Sequence, residues 1–206
     1  MSVTESHSRF RPSRSERRAA TQQRLRESGL ELFAEQGLHA VTTHDIAHHA
    51  GLAAGTFYLH FSDKQALFHE IVHSAVEDLR EALRAAVSNG GQGQDRVRAH
   101  AIALLDFASR NQRVIRILFS GERDAAALEQ DVLNALADST ARTHRERQTL
   151  PPGVEPEVFA QALVGMFARV VIWWVENPHA ATKSQVIETL AQIQYSGTQT
   201  TPQEPR

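Results

Sequence analysis

Eleven histidines and no cysteine among 206 residues set the side-chain chemistry open to this chain. Without thiolates, a metal would have to be held by imidazole and carboxylate, and disulfides and cysteine nucleophiles are excluded. The run Glu70-Ile71-Val72-His73 has the Glu-x-x-His spacing of di-iron carboxylate bundles, and the pairs His44/His48 and His69/His73 share helix faces at four-residue spacing. A di-iron centre needs a second such run within a helix and two further glutamates, and the sequence holds no second helical copy: Glu176-Asn177-Pro178-His179 has the spacing, but Asn177 and Pro178 separate two helices. A phosphate loop, a dinucleotide fingerprint and a Gly-x-Ser-x-Gly elbow are missing too. No catalytic residue, cofactor or metal ligand is therefore assigned. A helical-bundle metal enzyme built on Glu70 and His73 stands as the alternative reading.

The other chemistry on offer is electrostatic. The net charge is -2, yet Arg9, Arg11, Arg14, Arg17, Arg18, Arg24 and Arg26 crowd the N-terminus against only Glu5, Glu16 and Glu27. That asymmetry gives a basic arm on a mildly acidic body, the electrostatic footprint of a chain that meets phosphate. Behind the arm, Ile46, Ala47 and Ala50 precede Gly51, and Leu52 and Phe57 follow it. Two helices crossing at about 90 to 120° need a small residue where they touch and a glycine where the backbone reverses. Ala47 and Gly51 meet those needs, and the apolar residues fasten the pair to a preceding helix. One face of the second short helix is left free for a major groove.

The elements that must position this unit read as helix throughout, since apolar residues recur at three- and four-residue steps. The first spans about residues 15–36 with Leu25, Gly29, Leu32 and Phe33 on one face, and Gly37 stops it. Thr42 with Asp45 forms a capping box for a helix to Ala50; a second short helix covers about residues 53–60. Ser62 with Gln65 would start a long helix to about Val87, broken by the glycines of residues 89–94. Further helices are expected at about 95–109, 111–119, 122–148, 156–176 and 182–195, making an all-α fold of about nine helices.

The run Thr42-Thr43-His44-Asp45-Ile46-Ala47, then Ala50-Gly51-Leu52, then Gly55-Thr56-Phe57-Tyr58-Leu59-His60-Phe61, and Lys64, resembles the DNA-binding signature of the tetracycline-repressor-like (TetR) family over about residues 30–68. The resemblance implies that Thr42 and Thr43 face backbone phosphates and that His44 sits at the groove edge. It places Ala54, Gly55, Thr56 and Leu59 against the bases, with Tyr58, His60 and Lys64 on phosphate oxygens. Ala53 stands where the family usually has serine or threonine, so the recognition helix lacks a side-chain cap. With no Arg, Asn or Gln on that face, readout would lean on thymine methyls, close approach at Gly55 and DNA shape.

A single helix-turn-helix reads few base pairs, so a homodimer on a palindromic operator is expected. Val164, Phe167, Val171, Trp174, Val186, Leu190 and Ile193, on the last two helices, are the candidate dimer surface; the family pairs two such helices from each subunit. His100, Leu104, Phe107, Ile115, Leu118, Phe119, Phe159, Leu163 and Met166, with Asp106 nearby, are candidate pocket residues for an unknown small, largely apolar effector. A dimer without any effector stays open beside this. The expected partition is a disordered basic arm (1–14), a DNA-binding domain (15–62), a helical regulatory and dimerisation domain (63–196) and a disordered tail (197–206). No run of about 18 uninterrupted apolar residues occurs, and no apolar leader core, so a cytoplasmic repressor without a membrane partner is expected.

Overall fold

The computed structural model describes residues 13–91 and 93–197. Among them the architecture is all-α, with no strand: α1 (Arg14–Gln36), α2 (Thr43–His49), α3 (Ala54–Phe57), α4 (Lys64–Asn89), α5 (Gly93–Arg110), α6 (Gln112–Leu118), α7 (Arg123–Arg147), α8 (Pro156–Glu176) and α9 (Lys183–Gly197). The expected arm and tail lie outside the described residues but for Ser13, Arg14 and Gly197 at their edges.

Local chemistry accounts for most helix starts. Ser13 and Glu16 exchange a capping box at α1, and Thr42 and Asp45 do the same at α2. The start of α4 corrects the sequence reading: Asp63, not Ser62, is the cap, its Oδ1 accepting from the Ala66 N–H at 2.7 Å. Two adjacent residues could do this job, and the carboxylate is the stronger acceptor; Ser62 Oγ instead donates to Asp63 Oδ2 at 3.1 Å. Helix α3 is shorter than expected. Ala53 supplies no side-chain cap. Residues 58–60 wind on as a tighter turn, with Leu59 N–H bonded to Thr56 O and His60 N–H to Phe57 O.

One buried cluster runs through the molecule. Leu25, Leu32, Phe33, Ile46, Phe57, Leu67 and Phe68 are its N-terminal part, and it continues through Ile71 and Val72 to Leu105, Ile115, Phe167 and Leu190. A division at residues 62/63 falls across this cluster, because the first turns of α4 bury Leu67 and Phe68 against α1. Gly29 makes that approach possible: a Cβ there would lie 2.6 Å from Leu67 Cδ2, and Leu67 is fully buried. The rings of Phe33 and Phe68 meet edge to face at 6.0 Å beside it.

In the C-terminal part α7 packs along α8, and α5 against α4 and α9. By length and apolarity α8 could cross a membrane, and only 22% of its most apolar stretch of 18 residues is buried within the chain. Its buried face carries Ala160, Leu163, Phe167, Val171 and Val175. Two histidines pack on aromatic rings nearby: His100 stacks on Phe167 at 6.3 Å, and His144 meets Phe159 edge to face at 5.0 Å. Burial holds both imidazoles below the ordinary value of 6.5, with His144 adding to the effect on His100 and Arg96 and Arg147 adding to that on His144.

Two predictions follow from this packing. Gly29→Val should lower unfolding stability by about 1–3 kcal/mol, read from the urea midpoint, because the added methyls meet a buried leucine. Histidines whose folded pKa is depressed take up protons more readily when unfolded, so stability is lost as pH falls below about 6.5. A thermal-melt series from pH 7.5 to 5 should show that loss, with a shallower slope for His100→Gln.

Candidate nucleic-acid interface

The turn between α2 and α3 is built from backbone and anchored by arginine. Gly51 sits at φ +65°, a left-handed conformation that favours glycine. Its N–H bonds to His48 O at 2.9 Å, and Leu52 N–H bonds to Ala47 O at 2.8 Å. Arg24 reaches from α1 to donate to Ala50 O, and a Cβ on Gly51 would stand 3.1 Å from that guanidinium. Ile46 and Ala47 are wholly buried beneath the turn.

Helix α3 is fixed from both sides. Phe57 is wholly buried, tilted against Phe61 at 5.7 Å and edge-on to Tyr58 at 5.6 Å. Arg18 of α1 donates to Leu59 O at 3.3 Å, which satisfies a carbonyl at the C-terminal end of the unit. The hydroxyls of Thr43 and Tyr58 lie 2.8 Å apart and tie α2 to the end of α3. Lys64 Nζ donates to His39 O at 2.7 Å and Val41 O at 2.9 Å, holding the loop that leads into α2. Sequence reasoning took Arg18 and Arg24 only as members of a charge run. Nothing in their spacing signals that they cap carbonyls of helices distant in sequence.

None of the eleven residues expected to meet DNA is buried. Thr42, His44, Ala53, Ala54 and Gly55 are exposed, as are Tyr58 at 60% and Leu59 at 68%, while Thr43, Thr56, His60 and Lys64 are half-buried. A Cβ on Gly55 would meet nothing within 4 Å inside the chain. Two residues are partly occupied otherwise. Thr42 Oγ1 accepts from Asp45 N–H and donates to Asp45 Oδ2 at 2.6 Å, while Lys64 spends two donors on carbonyls. Asp45 is held below the usual carboxylate value by those Thr42 hydrogen bonds. His60 is lowered by desolvation first and by Arg18 second, and its Nδ1 is buried without a partner. Arg14, Arg17 and Arg18 are exposed on the first turns of α1.

The candidate residues of the C-terminal part are less uniform. Phe107, Ile115, Leu118 and Leu163 are buried core, whereas His100, Leu104, Phe119, Phe159 and Met166 are half-buried. Of the seven candidate interface residues, Phe167, Val171, Val186 and Leu190 are 8% exposed or less. This corrects the sequence reading: those four face the chain's own core, where α8 packs on α6 and α7 and α9 packs on α5. Val164 and Trp174 are half-buried, with Trp174 Nε1 donating to Ala181 O, and Ile193 alone stands 51% exposed. The outward face of α8 is a different stripe: Val158, Ala162, Gly165, Arg169 and Trp173. Glu70 accepts from Gln22 Nε2 at 2.7 Å, and His69 and His73 are exposed beside it.

Residues 25–71 match the family model for bacterial regulatory proteins of the tetR family, a span that holds the helix-turn-helix and the first turns of α4. The chain is 25% identical to the HTH-type transcriptional activator FasR of Mycolicibacterium smegmatis, over 81% of this chain and 78% of that protein. It is 42% identical to the HTH-type transcriptional repressor KstR2 of Rhodococcus jostii, over 29% of each. Its fold superposes on that of the fatty acid degradation regulator FadR of Bacillus halodurans with a TM-score of 0.72 at 17% identity, covering 85% of this chain and 94% of that one. Residues 25–71 thus carry a DNA-binding unit of the tetR type, and over most of its length the chain is similar in sequence and fold to transcriptional regulators.

Proposed function

We propose that the chain is a homodimeric repressor that occupies a two-fold symmetric operator and leaves it when a small, largely apolar effector binds. The observation that carries the reading is the face made by Ala54, Gly55, Tyr58 and Leu59. It holds two large exposed side chains and a glycine that nothing inside the chain requires. A duplex supplies what that face lacks: thymine methyls for Leu59 and Ala54, and a close backbone at Gly55. Thr56 joins them on the base side. Tyr58, His60, Thr43 and His44 take phosphates or the groove edge, and Arg14, Arg17 and Arg18 add sequence-independent attraction. Thr42 and Lys64 act chiefly by holding α2 and its leading loop in place.

A second copy is the partner proposed for the outward stripe of α8 with Ile193 of α9. Four of its five α8 residues are apolar or small, and so long an apolar helix leaves a face that water solvates poorly. Arg169 in mid-stripe speaks for a protein partner over lipid. Gly165 has nothing within 4 Å of its would-be Cβ, so its smallness serves no purpose inside one copy. The effector is proposed to enter among α5, α7 and α8, where His100, Leu104, Phe159 and Met166 are half-buried. Release of DNA by two orders of magnitude needs about 2.7 kcal/mol of preference for the DNA-incompetent spacing. Repression follows from occupancy of a promoter, and the cytoplasm is where such a protein meets its duplex.

Leu59→Asp should abolish binding to a selected duplex in fluorescence anisotropy while changing stability by less than about 0.5 kcal/mol; unchanged affinity would refute the face assignment. Tyr58→Phe, which loses the proposed phosphate contact of about 0.5–1.5 kcal/mol together with the tie to Thr43, should weaken binding by at least about 2-fold with helix content unaltered. In analytical ultracentrifugation Gly165→Arg should sediment as a folded monomer where the wild-type chain sediments as a dimer.

A further inference from the structure

A groove of about 400 Å³ lies between α4 and α7, lined by none of the residues proposed above for duplex, effector or second copy. Val72 and Val76 form one wall and Leu128, Val132 and Ala135 the other. Its polar groups are unevenly charged. On α4, Glu70 and Arg80 mark ends about 15 Å apart along the helix, with His69 and His73 on the rim, and Asp131 faces them from α7. Arg80 is committed to Glu77 at 2.5 Å, and Glu70 shares Gln22 and, at 3.9 Å, Arg26. Asp131 has no ion-pair partner among the described residues. The groove itself is thus lined by two carboxylates and one guanidinium group.

We infer that this groove binds an organic cation: a protonated amine on an apolar body that also carries a hydrogen-bond acceptor. Among the described residues no three ligating groups converge to hold a metal ion, so the two groove-lining carboxylates with an apolar strip between them fit an ammonium group better than a bare cation. The acceptor answers the partly exposed Arg80 side chain that lines the groove, whose Nε has no hydrogen-bond partner within the chain. Glu70 gives the site a consequence. It is the group through which α4 holds Gln22 and Arg26 of α1, and α1 carries the Arg18 and Arg24 that clamp the helix-turn-helix. An ammonium group that competes for Glu70 loosens α1 from α4 and lowers duplex affinity. Only this last step rests on the reading of the chain as a duplex-binding regulator.

The test is isothermal titration of the full chain at pH 7 with three probes: procaine, its uncharged ester analogue benzocaine, and the anionic 4-aminohippurate. Procaine should bind at least about tenfold more tightly than either of the others. Asp131→Asn, at an exposed site that leaves the core intact, and Glu70→Gln should each remove most of that preference. Equal binding of benzocaine or 4-aminohippurate, or a preference that survives in the double variant, overturns the site. Saturating procaine should also weaken duplex binding of the wild-type chain, and procaine binding with unchanged duplex affinity overturns the coupling. The titrations need no DNA, so a chain that ignores every duplex would fail the functional reading and leave this site to be judged by them.

Discussion

A helix of four residues cannot hold itself together, since one turn fixes several dihedrals for a single hydrogen bond. Everything this protein does at a duplex depends on α3, and α3 is such a helix, so its orientation is imposed from outside. Phe57 nails it to the core, and Gly51 sets the angle at which it leaves α2. Arg24, Arg18 and Lys64 then satisfy carbonyls at the end of α2, the end of α3 and the loop before α2. These cations stabilise the unit by serving backbone that would otherwise depend on water. Two of the three come from α1, which makes α1 the splint of the recognition element.

The same helix joins the two halves of the molecule. It buries Gly29 and Phe33 against Leu67 and Phe68 of α4. It also meets α6, where Arg113 pairs with Glu31 at 3.5 Å, and the loop after it meets Glu122, which accepts from His39 N–H at 3.3 Å. A continuous core, these two polar ties and the Gln22–Glu70 hydrogen bond mean that a shift of α4 or α6 reaches α1 directly. Coupling of this kind needs no long relay, because the element that positions α3 is also the one that α4 and α6 grip.

Much of this was legible in the residues. Ser13 aside, the caps and stops of α1 and α2 follow from Thr42, Asp45 and Gly37, and the turn from Ala47 and Gly51, because these signals are local. What was misread depended on context that spacing does not encode. Ser62 and Asp63 are both competent caps, and only the folded geometry picks one. Phe167, Val171, Val186 and Leu190 lie on apolar faces, but periodicity cannot tell a face turned to the chain's own core from one turned to a partner. The arginine clamps and the Gln22–Glu70 tie join residues 26 to 48 positions apart, so no short window contains them.

The claim that α3 presents a two-fold repeated reading head is tested most directly by selecting bound sequences from a random duplex pool with the full chain. The account predicts enrichment of a palindrome whose half-sites lie about one helical turn, roughly 34–36 Å, or a multiple of it apart. Enrichment of a single asymmetric site, or none at all, would contradict it.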